Sequence, residues 1–146
     1  MFKLIQKLAT TLCLLFLLVG CAATSQTPQS TLYDRLGGET GVDTIVSGLI
    51  KQIGQDKQIF HYFADTHITR FRTQLTQHLC AITDGPCKYT GDNMTDIHTG
   101  MKITEKDFNH LVDLLINAMN LQGIPHRMQN QLIARLAPLR ANIIYI

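Results

Sequence analysis

The chain has no tryptophan, only four prolines among 146 residues, and charged residues at just 16%. So little charge argues against a highly charged, disordered chain. Alternation of apolar and polar residues between turn signals occurs nowhere at length, which excludes a sheet protein. Catalytic triads, phosphate-cradling glycine loops and acid pairs at active-site spacing are missing too. There are no internal repeats, and no low-complexity segments beyond the first thirty residues.

One long apolar run is present, at the start. Lys3 and Lys7 precede Leu8 to Val19, which is too short to span a bilayer comfortably. It closes in Leu18-Val19-Gly20-Cys21, which resembles the lipobox of bacterial lipoproteins, with cleavage before a cysteine that then carries lipid. An ordinary secretory signal or a membrane anchor are the alternatives. Residues 1–20 are thus expected to be a signal peptide, and residues 21–30, small and polar, a flexible tether with Cys21 lipidated. Ala22 is not the aspartate that resembles an inner-membrane retention signal. The expected location is therefore the cell envelope, at the outer membrane facing the periplasm.

The domain that remains is residues 31–146, enough for one core. The leader takes Lys3 and Lys7 out of 13 basic residues and no acids, so the domain is close to neutral against 11 acids. No nucleic-acid partner is expected. Of four cysteines, Cys13 leaves with the signal and Cys21 is the lipid site. Cys80 and Cys87, seven apart across Gly85-Pro86, either form a disulfide suited to an oxidising compartment or stay as free thiols; spacing alone does not choose.

Helical periodicity dominates. A first long helix is expected from about Val42 to Ile53, a turn-like segment over Lys57 to Phe63, and a second long helix over Ile68 to Ile82, with Ile68, Phe71, Leu75, Leu79 and Ile82 on one face. Asp84-Gly85-Pro86 stops that helix. A short turn at Met94 to His98 ends in a histidine. Thr104 with Asp107 starts a third helix to about Leu121, and Pro125 serves as first residue of a last one, to about Ile143. The other histidines, His61, His67, His78, His110 and His126, read as surface or loop.

Four stretches, in order, carry a resemblance. They are Leu32-Tyr33-Asp34-Arg35-Leu36-Gly37-Gly38; Gly85-Pro86 with Tyr89-Thr90-Gly91; Met94 to Phe108 through His98, Gly100, Ile103 and Thr104; and Leu136-Ala137-Pro138-Leu139-Arg140. Together they are similar to the group 1 truncated haemoglobins over Thr31 to Ile143. The resemblance implies an all-α, two-over-two helical sandwich around haem b (iron protoporphyrin IX). It implies His98 as proximal iron ligand, Phe63 wedged against the porphyrin, and Met94, Ile103, Phe108 and Leu111 lining the proximal side and edge. One histidine is enough there because the porphyrin brings four nitrogens of its own. A protein-only metal site from Cys80, Cys87 and His98 has no trusted spacing.

The chain also departs from that family. Ile50 stands at its distal tyrosine position, Leu75 at its distal glutamine position, and Phe71 one turn earlier, all apolar. Oxygen at ferrous iron carries partial negative charge, and a hydrogen bond to it contributes about 1–3 kcal/mol, roughly ten- to hundredfold in affinity. The expected pocket lacks that bond unless Gln74 takes the glutamine position by a one-residue slip, Tyr62 turns inward, or His67 or His78 swings in as a sixth ligand. Asp84, where the family has glycine, leaves room for the slip. The expected function is reversible binding of a diatomic gas (oxygen, nitric oxide or carbon monoxide) rather than catalysis; turnover would need a reductase that the sequence does not name. The other reading is a haem-free lipoprotein that keeps the globin fold as a binding or structural module.

Overall fold

The computed structural model describes residues 30–146. The leader, Cys21 and the tether up to residue 29 lie outside the described residues. Among the described residues all regular structure is helical: α1 Leu32–Arg35, α2 Gly38–Ile53, a 3₁₀ turn Phe60–Phe63, α3 Ile68–Ile82, α4 Met94–His98, α5 Glu105–Leu121, α6 His126–Leu136 and a closing 3₁₀ segment Ala137–Asn142. None of these helices is long and apolar enough to cross a membrane.

Helix α2 is the centre. Val42, Ile45, Val46, Leu49 and Ile53 repeat at helical spacing and are all buried. It packs against α3 on one side and α5 on the other. The approach to α5 is close because Gly48 carries no side chain: a Cβ there would lie 3.4 Å from Ala118 Cβ. Leu115, Ala118 and Met119 of α5 and Leu132 of α6 complete the core. The α2–α3 pair thus lies over the α5–α6 pair, the two-over-two sandwich expected.

Helix α2 begins four residues before Val42, where apolar periodicity starts. Gly37 turns the chain at φ 96° into the helix, and Gly38-Glu39-Thr40-Gly41 has no apolar side chain to mark the added turn. A reciprocal capping box of Thr104 and Asp107 starts α5, as the sequence suggests. Pro125 is the residue before α6 rather than its first. The last helix stops at Leu136, short of Ile143, and the chain tightens to 3₁₀ geometry, because Pro138 has no N–H to continue the ladder.

The α3 terminus is stapled. Cys80 and Cys87 form a disulfide, which resolves the choice spacing left open. Asp84 adopts φ 63°, the left-handed conformation that glycine takes most easily. The Arg135 guanidinium holds Asp84 in place, one nitrogen 2.7 Å and the other 3.1 Å from its two carboxylate oxygens. The same pairing holds the Asp84 carboxyl below its ordinary pKa.

Candidate functional site

From Cys87 onward the loop runs back along α3, opposite in direction to it. Cys87 is bonded to Cys80, and the Tyr89 ring meets His78 edge-on with centroids 4.9 Å apart. The Thr90 N–H donates to Gln77 Oε1, Gly91 lies beside Gln74, and Asp92 pairs with Arg70 at 3.0 Å. This strap delivers Asn93, whose side chain caps α4 by accepting from the Asp96 N–H at 2.9 Å. The C-terminal tail reaches α4 at both ends, Asn142 donating to the Thr95 hydroxyl in its first turn at 3.1 Å and the Ile146 carbonyl accepting from the Gly100 N–H just past its last residue at 3.1 Å.

His98 is the last residue of α4. Its Nδ1 lies 2.7 Å from the Met94 carbonyl oxygen. A carbonyl only accepts, so Nδ1 carries the proton of the neutral ring and Nε2 keeps its lone pair. That is the second-ring-nitrogen hydrogen bond that orients and tautomerises a ligating imidazole.

His98 lines a cleft of about 210 Å³, many times the roughly 10–15 Å³ one water needs. The proximal wall is Met94 and Ile97 beside it, with Phe108, Leu111, Val112 and Leu115 of α5. Leu136, Leu139 and Ile143 of the tail close one side. The wall from α3 is Phe71, Gln74, Leu75, His78 and Leu79, joined by Phe63 and by Leu49 of α2. The Phe63 and Phe71 rings meet at a tilt of 54° with centroids 5.3 Å apart.

Of the residues expected to line a cofactor site, His98, Phe63, Met94, Phe108, Leu111, Phe71 and Leu75 come together here. Ile50 and Ile103 do not line the cleft. Ile50 packs partly buried against the core, and the neighbouring Leu49 takes the cleft side of α2, since one residue along a helix turns the side chain by about 100°. Ile103 is buried beneath the tail, where its carbonyl accepts from the Tyr145 N–H.

Among the polar residues, His78 departs from its surface reading, Gln74 reaches the cleft, and Tyr62 and His67 stay out of it. His78 is neither surface nor loop but part of the cleft wall, and burial lowers its pKa. Gln74 also faces the cleft. The signal is present in the sequence: 74 and 78 fall three and seven after Phe71, on the face that Phe71, Leu75 and Leu79 define. Tyr62 does not turn inward; its hydroxyl donates to Asp107 at 2.9 Å, and burial with that carboxylate raises its pKa. His67 caps α3 from outside, its Nδ1 accepting from the Arg70 N–H. The other histidines stand off the cleft, His61 and His126 exposed and His110 paired with Asp56 at 2.6 Å.

Buried polar atoms without partners are costly, about 1–3 kcal/mol each. Gln74 Oε1 and both ring nitrogens of His78 are such atoms, and both residues line this cleft. Among the described residues no group of three or more His, Cys, Asp or Glu could hold a metal ion, and Cys80 and Cys87 are used by their disulfide. One imidazole oriented by a backbone carbonyl, apolar walls that include Phe63, Phe71 and Phe108, and few polar groups fit a planar apolar macrocycle that brings its own metal ligands.

An all-helical two-over-two sandwich with one oriented imidazole in an apolar cleft defines a globin. The family model described as bacterial-like globin matches residues 31–145, and the chain belongs to that family. The group 1 truncated hemoglobin of Synechocystis sp. is 30% identical over 112 residues, 74% of this chain and 87% of that one. That of Mycolicibacterium paratuberculosis is 27% identical over 114 residues, 78% of this chain and 84% of its own. The crystal structure of truncated hemoglobin from Tetrahymena pyriformis in the Fe(III) form superposes with a TM-score of 0.76 at 26% identity, covering 79% of this chain and 98% of that one.

Proposed function

We propose that the cleft takes haem b with His98 as the proximal iron ligand, and that a diatomic gas binds on the side of α3. Haem and gas binding are what membership of the globins entails. The iron supplies the gas chemistry when the haem is present. What the chain supplies is ligation by His98 Nε2, a tautomer fixed by the Met94 carbonyl, and apolar walls that keep water off. The observation that carries the reading is the His98 Nδ1 to Met94 contact at 2.7 Å, in a residue that lines the cleft. The test is haem titration of the purified chain followed at the Soret band. A shifted, sharpened Soret band that saturates at one haem per chain is expected, and a band that stays that of free haem would favour the haem-free module.

The protein works at the cell envelope, held by lipid on Cys21 in the outer membrane and facing the periplasm. The leader, the Leu18-Val19-Gly20-Cys21 run and a disulfide suited to an oxidising compartment support this. Incorporation of labelled fatty acid, lost in Cys21→Ser together with membrane fractionation, tests it. Keeping the iron ferrous there calls for an electron donor, a reductase of the envelope.

A further inference from the structure

We infer that Gln74 and His78 form this chain's own polar pair for the gas ligand, in place of the donors missing at Ile50, Phe71 and Leu75. The inference rests on the cleft being a haem site. The two residues are four apart on α3, one turn above the other, on the wall of the cleft that α3 builds. Neither is used by the fold: Gln74 Oε1, His78 Nδ1 and His78 Nε2 are buried and without partners. Nothing else in the cleft offers a free polar group for a gas, because Tyr89 gives its hydroxyl hydrogen to the Asp92 carbonyl at 2.8 Å and Nδ1 of His98 is held by Met94.

The strap positions both from behind. The Tyr89 ring stands edge-on to His78 at 69°. Beside Gln74 the strap has Gly91, and a Cβ there would come within 2.2 Å of Gln74 Oε1. The glycine therefore makes the space in which the amide lies. Rotating that amide by half a turn brings its NH₂ group to the place of Oε1, at no cost in shape. A neutral imidazole has one N–H to give and one nitrogen that accepts. The pair can thus donate to a ligand that gains negative charge, with no tyrosine in the pocket.

The experiment uses the full chain loaded with haem, comparing wild type with Gln74→Leu, His78→Phe and His78→Gln. Oxygen dissociation is followed by stopped flow and the C–O stretch of the carbon monoxide form by infrared spectroscopy. The leucine and phenylalanine variants are expected to release oxygen roughly ten- to hundredfold faster and to shift the stretch upward. His78→Gln, which keeps a donor, is expected to stay near wild type. Unchanged rates and stretch in both apolar variants overturn the inference. So does a loss of haem affinity with the rate unchanged, which would assign the pair to the porphyrin's carboxylates. A low-spin six-coordinate spectrum abolished by His78→Phe would make His78 an iron ligand and overturn it as well. A wild-type chain with no Soret band would instead remove the haem reading itself.

Discussion

His98 Nδ1 and the Met94 carbonyl oxygen, one turn apart on the five-residue helix α4, lie 2.7 Å from each other. The bond binds the imidazole to the backbone of its own helix, so the orientation of the ring follows that of α4. Helix α4 is in turn set by Asn93 and the tail's Asn142 in its first turn and by the tail's Ile146 just past its end. Deleting the tail residues 142–146 is expected to broaden the proximal geometry, weakening haem retention while leaving the α2–α3–α5 core folded. Haem transfer to a stronger acceptor protein, followed beside far-ultraviolet circular dichroism, measures both effects.

The Cys80–Cys87 staple anchors the strap that leads to α4. Opening it by Cys87→Ser should cost about 2 kcal/mol of stability, since the closed loop is short and its entropic gain correspondingly small. Urea unfolding with and without the substitution reads this as a lower midpoint. Reductant should reproduce the shift in the wild type and do nothing further in the variant.

The α2–α5 crossing depends on Gly48. A leucine there must displace Ala118, whose Cβ stands 3.4 Å from the place of the first added carbon, and Gln122 Nε2 at 3.3 Å. Overpacking of this kind costs about 1–3 kcal/mol. Gly48→Leu should lower the unfolding midpoint accordingly, while Gly123→Ala, with nothing within 4 Å of its added carbon, changes it only through strain at φ 67°.

Asp107 and His78 contribute to the acid response beside Asp56, held down by His110, and Asp84, held down by Arg135. Asp107 is held down to about 2, first by the Thr104 hydroxyl and then by Gln58 and Tyr62, against some opposing burial. Its contribution is present above the unfolded value near 3.8 and is lost as pH falls toward 2. His78 is lowered by burial, so the unfolded chain binds its proton more readily. Stability from that residue is complete above the ordinary imidazole value of 6.5 and declines as pH falls below it. The haem-free chain should therefore weaken in two stages on acidification, and His78→Phe should remove the first while Asp107→Asn reduces the second. Thermal unfolding across the range from pH 8 to pH 2 checks the order.

The helices were legible because Val42, Ile45, Val46, Leu49 and Ile53 repeat at 3.6 residues and each of them is buried. Helix ends were legible where a cap is local, as at Thr104 with Asp107, and not where backbone conformation alone decides, as at Gly37. The half of the site around His98 was legible through the resemblance, whose motif runs unbroken from Met94 through His98 to Phe108. The distal half depends on which side of α2 and α3 each residue takes. Leu49 and Ile50 differ there by a single helical step. Gln74 and His78 lie on the face that Phe71, Leu75 and Leu79 define, so they reach the cleft with neither a slip of α3 nor a swing of the imidazole. The disulfide was undecidable from spacing because only the path of the loop brings Cys87 beside Cys80.

The most direct test of the account is the absorption spectrum of the haem-loaded chain with His98→Gly, taken with and without added imidazole. The account predicts that the ferrous spectrum loses its histidine-ligated form in the variant and that free imidazole, entering the space of the missing ring, restores it. A His98→Gly spectrum identical to wild type before any imidazole is added would contradict it.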